Sequence, residues 1–131
     1  MNNDKIDAIV EAILDYVSPV YVVGELKSIF PKTSTVISAT VPQEELNIIN
    51  GRYPEWLLSV KAKSEGDDNI LIITDFDKLS TEEQKFYLDI ICEGIVSSES
   101  LPENLRLLIV ADKKTELIPK IRESVNYFEL I

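Results

Sequence analysis

Residues 70–80 read ILIITDFDKLS, from Ile70 to Ser80, and this stretch decides the fold class. Ile70 to Ile73 is aliphatic at consecutive positions, so a strand here buries both faces, as a central strand of a helix-covered parallel sheet does. Thr74-Asp75 ends the strand. Ser80-Thr81-Glu82-Glu83 then has the form of a capping box, in which the serine hydroxyl and the glutamate carboxylate each satisfy a backbone N–H at a helix start. Phe86, Tyr87, Ile90 and Ile91 follow as the expected core stripe of that helix.

Toward the C-terminus, 97–104 is a polar loop containing Pro102. Leu105 to Ala111 is a second doubly apolar strand. Thr115 to Ser124 is expected to be a short helix, and Tyr127 to Ile131 a last strand. Toward the N-terminus, 64–69 is a polar loop. Pro54 suits the first turn of a helix running through Trp56, Leu57 and Val60 to about Lys63. Gln43 to Asn50 reads as helical, with Asn50-Gly51 as a turn or C-cap. Thr35 to Val41 is rich in β-branched residues and reads as a strand. Glu25 to Phe30 allows one or two helical turns, stopped by Pro31. Val20 to Val23 is a short buried strand closed by Gly24. Before it, Asn3 or Asp4 caps a helix whose stripe is Ile6, Ile9, Val10, Ile13, Leu14 and Val17, ended by Ser18-Pro19. Five strands separated mostly by helices imply βαβ units. The expected architecture is a three-layer α/β sandwich with a mainly parallel five-stranded sheet, in one domain over 1–131.

Composition narrows the chemistry. The 131 residues contain no histidine and one cysteine, Cys92. A histidine-based acid–base pair, a Ser-His-Asp or Cys-His nucleophile and an internal disulfide are therefore impossible within the chain. Cys92 reads as a small buried hydrophobe. The net charge of −10 repels phosphate backbones, so direct nucleic-acid binding is disfavoured. Lys113, Lys114, Lys120 and Arg122 are the one concentration of positive charge and read as a solvated face. No apolar run approaches the roughly 18 residues of a membrane span. The start Met-Asn-Asn-Asp-Lys lacks a basic and apolar leader, so a cytoplasmic location is expected.

Thr74-Asp75-Phe76-Asp77-Lys78-Leu79, behind its aliphatic strand, resembles the Walker B strand and turn of AAA+ ATPases, members of the P-loop NTPase fold. Asn104 to Leu130 is similar to the stretch from the sensor-1 strand to the final core strand, most closely in clamp-loader subunits. The shared frame there is an aliphatic strand, a polar residue and Leu117-Ile118-Pro119 with Ile121. The resemblance covers about Ile70 to Ile131, with the first helix and Val20 to Gly24 consistent with it. It implies a nucleotide-binding core, expected here to be without a helical lid after Ile131.

The residues that would handle ATP depart from that pattern. A phosphate loop needs the G-x-x-x-x-G-K-[ST] spacing so that backbone N–H groups wrap the phosphates. The chain has Gly24, then Lys27 and Ser28, too close together and without the second glycine. Lys32-Thr33 follows a proline and also lacks the loop. The resemblance places Thr74 where the family has a Mg²⁺-supporting acid and Asp75 where a glutamate orients the attacking water. Asp112 stands at the sensor-1 position, where a neutral polar residue is usual, and its carboxylate would repel phosphate. Glu123, Ser124 and Val125 align with the triplet that carries an arginine finger, and Arg122 lies two positions earlier.

Asp75-Phe76-Asp77 is also similar to the Asp-x-Asp motif of haloacid-dehalogenase-type phosphatases, with Leu79 in its Thr/Val place. A structural reading has Asp75 and Asp77 capping the turn and the helix after it. Tyr53, Trp56, Phe86 and Tyr87 are expected to pack in the core. The expected function is thus a catalytically inactive AAA+-like module acting through a protein partner. Neither cofactor, metal nor nucleotide binding is expected. The alternative is a divergent Mg²⁺-dependent NTPase or phosphatase using Asp75, Asp77 or Asp112.

Overall fold

A computed structural model of the chain describes residues 3–15, 18–24, 34–66 and 69–130. In order these form α1 (Asn3–Asp15), β1 (Val20–Val23), β2 (Thr35–Ser38), α2 (Gln43–Leu46), α3 (Glu55–Ala62) and β3 (Ile70–Thr74). After them come α4 (Thr81–Gln84), β4 (Ile95–Val96), β5 (Glu99–Ser100), β6 (Arg106–Ala111), α5 (Pro119–Ser124) and β7 (Asn126–Glu129). The expected helical turns in 25–30, and the candidate phosphate-loop residues Lys27, Ser28, Lys32 and Thr33, lie outside the described residues.

Five strands make one sheet in the order β2-β3-β6-β1-β7, and every neighbouring pair is parallel. This is the expected architecture. The central strands alternate between two cores, as a period of two requires. Tyr21, Val23, Leu71, Ile73, Leu107 and Ile109 face the larger core with Trp56, Leu57 and Val60 of α3, Tyr87, Ile90, Ile91 and Ile121. Val20, Val22, Ile70 and Leu108 face the other, against Ile9, Ala12 and Ile13 of α1. Two covered faces make three layers.

The capping box is present. Ser80 Oγ accepts from the Glu83 N–H at 3.1 Å, and Glu83 Oε1 accepts from the Ser80 N–H at 3.0 Å. The regular helix behind it is shorter than expected. It tightens into a 3-10 turn over Lys85–Tyr87 and widens into a π turn over Asp89–Glu93. These changes of pitch alter the phase of the stripe. Tyr87, Ile90 and Ile91 are buried, whereas Phe86 is turned out and 52% exposed, against its expected place in the core.

Other boundaries also differ. α2 stops at Leu46 because Asn47 is extended. Ile49 and Arg52 then exchange backbone hydrogen bonds across Asn50-Gly51, both at positive φ. The Asn-Gly pair is therefore the centre of a tight reversal, as a turn of this composition prefers, and not a helix C-cap. Residues 115–118 are not helical. Pro119 disfavours helical backbone at Ile118, which is extended at φ −62°, ψ 144°, so α5 begins at the proline. The polar stretch 97–104 contains β5, half of a two-residue hairpin with β4 turned by Ser97 and Ser98.

At the amino end of the sheet the two polar loops are joined by asparagines. Asn69 Nδ2 donates to Val60 O at 2.9 Å, and Asn104 Nδ2 donates to Gly66 O at 2.8 Å.

Candidate functional site

In an open parallel sheet the residues after the carboxyl ends of the strands converge on one rim. Here the rim gathers residues from β1, β2, β3 and β6. Gly24 follows β1, and its N–H donates to Ala111 O at 2.8 Å, extending the β1–β6 pairing by one step. Its φ of +127° suits a residue without Cβ.

Asp75 follows β3 in the left-handed region, at φ 61°, ψ 24°. Aspartate tolerates this conformation better than most side chains. The Ser38 hydroxyl at the end of β2 donates to Asp75 Oδ2 at 2.7 Å. Lys78 Nζ pairs with Asp75 Oδ1 at 3.2 Å. Both carboxylate oxygens are thus engaged. The Thr40 hydroxyl lies 2.8 Å from Ser38 Oγ, which also accepts from the Thr40 N–H at 3.3 Å. With the Ser38 proton directed at Asp75, Thr40 donates to Ser38. Thr74 Oγ1 sits 3.4 Å from Ile37 O and 3.3 Å from Asp75 Oδ2, and its single proton serves one of them at a time.

The hydrogen bond from Ser38, and then that from Lys78, hold the Asp75 carboxyl below its ordinary value of 3.8. Asp77 has a different task. Its Oδ1 accepts the Asp112 N–H at 3.2 Å, tying the turn after β3 to the end of β6. The Asp112 side chain is exposed.

Thr74 and Asp75 therefore join Ser38, Thr40 and Lys78 in one hydrogen-bonded cluster, while Asp77 and Asp112 meet through a backbone N–H. Among the described residues no three Asp, Glu or Cys side chains are arranged to hold a metal ion. Ser38 is the partner that the sequence did not reveal. Its role depends on the register Ser38↔Thr74, which a strand pattern alone does not fix.

An aromatic layer lies beneath the rim. The Tyr21 ring stacks on Tyr127 with centroids 5.5 Å apart and meets Phe76 edge-on at 5.8 Å. Phe76 meets Tyr87 at 5.8 Å. The Tyr87 hydroxyl donates to Ala39 O at 2.7 Å, and burial pushes its pKa up to about 12. Burial likewise raises the Tyr21 hydroxyl, which has no hydrogen-bond partner among the described residues. Both phenols are neutral at ordinary pH.

The basic residues near the C-terminus, Lys113, Lys114, Lys120 and Arg122, are all exposed, as a solvated face requires. Lys114 pairs with Glu129 at 3.4 Å, Lys120 pairs with Glu93 at 3.5 Å, and Arg122 lies over the Tyr127 ring at 4.3 Å. Cys92 is half-buried, and its Sγ accepts from Ser124 Oγ at 3.3 Å.

Ser38→Ala is expected to raise the pKa of Asp75 toward 3.8 by removing its strongest partner. A depressed carboxylate contributes stability that is present above its unfolded pKa and is lost as pH falls through the folded value. The variant therefore sheds that contribution at a higher pH than the parent does. A carboxyl-carbon NMR titration reads the shift directly, and an unmoved Asp75 titration in Ser38→Ala would refute the assignment.

No protein-family model matches the chain, and no curated protein is matched in sequence.

Proposed function

We propose that the chain is a catalytically inactive AAA+-like module that works by protein–protein contact, as an accessory subunit of a larger ATPase or replication-type assembly. One observation carries this reading. Asp75 occupies the position where the resembled family orients an attacking water, and its two oxygens are already engaged by Ser38 and Lys78. Those donors hold the Asp75 carboxyl below its ordinary value, which makes it a weaker proton acceptor toward such a water. The parallel sheet with its strand ends gathered on one rim supports the frame that the resemblance implies. Thr74, at the position of the Mg²⁺-supporting acid, is neutral and directed at neighbouring protein oxygens.

The competing enzymatic reading, a Mg²⁺-dependent NTPase or phosphatase using Asp75 or Asp77, would use the lone pairs that Ser38 and Lys78 leave open on Asp75. Calorimetric titration with ATP and ADP in the presence of Mg²⁺, followed by thermal shift, separates the two. A ligand present at about 100 times its dissociation constant would stabilise the fold by roughly 2.7 kcal/mol. The expected result is no heat and no rise in Tm at millimolar nucleotide. A Mg²⁺-dependent rise that disappears in Asp75→Asn would replace the inactive-module reading with the enzymatic one.

A further inference from the structure

We infer that the outer edge of β2 is a docking site for an extended, basic polypeptide segment, which joins the sheet as an additional strand. This deepens the protein-contact reading and rests on it. Among the described residues β2 is the terminal strand of the sheet and has β3 on one side only. The Ala39 N–H reaches Thr74 O at 2.7 Å, so odd-numbered residues turn their backbone groups toward β3. Strand alternation then turns the N–H and C=O of Val36, and the N–H of Ser38, to the outside. The C=O of Ser38 is taken by the Val41 N–H at 3.2 Å.

Exposed edges are commonly blunted by lysine, proline or a bulge. β2 reads Thr-Val-Ile-Ser and has neither lysine nor proline, and its register with β3 runs without a bulge. Val36 at its centre is 58% exposed.

A groove of about 610 Å³ runs beside this edge. Ile37 and Trp56 contribute to its apolar wall, and Glu44, Glu45 and Glu55 to its rim. The three glutamates are exposed, and none is engaged in an ion pair among the described residues. Arg52 is the one cation among the groove-lining residues. Backbone donors and acceptors at a sheet edge, an apolar wall for alternate side chains and an acidic rim together fit strand addition by a segment that alternates apolar and basic residues. A second copy of this chain would bring the same glutamates and the same charge of −10, so charge favours the basic partner over self-pairing.

Trp56 is the chain's single tryptophan and reports on the groove wall. The probe is a short capped peptide alternating lysine and valine, followed by Trp56 fluorescence and by the amide signals of Val36 and Ser38. Saturable, salt-weakened binding that shifts those two amides is expected. The same peptide with glutamate in place of lysine should not bind. Reversing the rim with Glu44→Lys, Glu45→Lys and Glu55→Lys should weaken binding at least about tenfold while the amide spectrum of the free protein stays native. Val36→Pro removes one edge donor and should abolish binding, and the rim variant carries the test if that substitution unfolds the strand.

Absence of binding at millimolar lysine peptide overturns the assignment. So does binding that leaves the Val36 and Ser38 amides unmoved or that is unchanged in the rim variant. Concentration-dependent shifts of those amides without peptide would give the edge to a second copy and overturn the basic-segment assignment. These outcomes are independent of the nucleotide titration, which alone judges whether the module is inactive.

Discussion

Phe76→Ala is expected to destabilise the fold by about 3–5 kcal/mol, read as a lower urea midpoint with an unchanged slope. Phe76 has no solvent exposure and lies between Tyr21 and Tyr87, meeting both rings edge-on. Truncation leaves a cavity enclosed by the sheet and by the helical segment after Ser80. It also removes two aromatic contacts worth about 0.5–1.5 kcal/mol each. Against a typical domain stability of about 5–15 kcal/mol, that is a large fraction. The effect reaches the rim as well. Phe76 anchors the turn that holds Asp75 in the left-handed conformation, so the Asp75 pKa should move back toward its ordinary value in the same variant. Phe76→Leu, which refills most of the volume, should cost far less. A cost below about 1 kcal/mol for alanine would mean that the aromatic layer collapses to fill the space, against its role as a fixed support.

The second large effect is expected at Gln84. This side chain has no solvent exposure, yet it is polar. Its Nε2 donates to Glu116 O at 2.7 Å, and its Oε1 accepts from the Ile118 N–H at 2.9 Å. One amide thus holds both a carbonyl and an N–H of the extended stretch before α5. Gln84→Leu leaves both backbone groups without that partner, at roughly 1–3 kcal/mol each where water does not reach them. Hydrogen exchange at the Ile118 amide should accelerate in parallel.

Q84E distinguishes the two bonds. Its ionised carboxylate still accepts from Ile118 but faces the Glu116 carbonyl with no proton to give. Burial and that carbonyl raise the folded pKa of the introduced carboxyl above its unfolded value. Its favourable contribution is therefore complete below the unfolded pKa and is lost as pH rises through the folded one. Equal stability of Q84E and the parent near neutral pH would remove the Nε2 bond from the account.

The sheet was legible because its inner strands, Ile70–Thr74 and Arg106–Ala111, are apolar on both faces, a pattern that few other structures allow. The start of α4 was legible because a capping box is local chemistry. The segments that escaped notice depend on partners remote in sequence. Residues 115–118 have a helix-compatible composition, but Gln84 and Pro119 together draw them into an extended path. β5 carries Glu99 and Ser100, which no strand pattern would select. Tyr53 donates to Glu99 and Lys61 pairs with it at 2.8 Å, so a tertiary tie to α3 meets that hairpin where apolar alternation is lacking. At the rim, Thr74, Asp75, Asp77 and Asp112 were identifiable from their places after strands. That Ser38 donates to Asp75 became visible only with the register of β2 on β3.

The position of β1 has a consequence for how the chain is made. β1 precedes the other strands of the sheet among the described residues, but its two neighbours are β6 and β7, the last two of them. A nascent polypeptide that has emerged only as far as β3 carries Val20 to Val23 with both edges bare. Its Tyr21 also lacks the Tyr127 ring on which it stacks in the finished protein. The sheet therefore closes only after β6 and β7 have been made, and its formation is limited by long-range pairing more than by local helix formation. Until then an apolar strand remains open to wrong partners, so the interval before β6 and β7 emerge is the one in which mispairing and aggregation are most exposed.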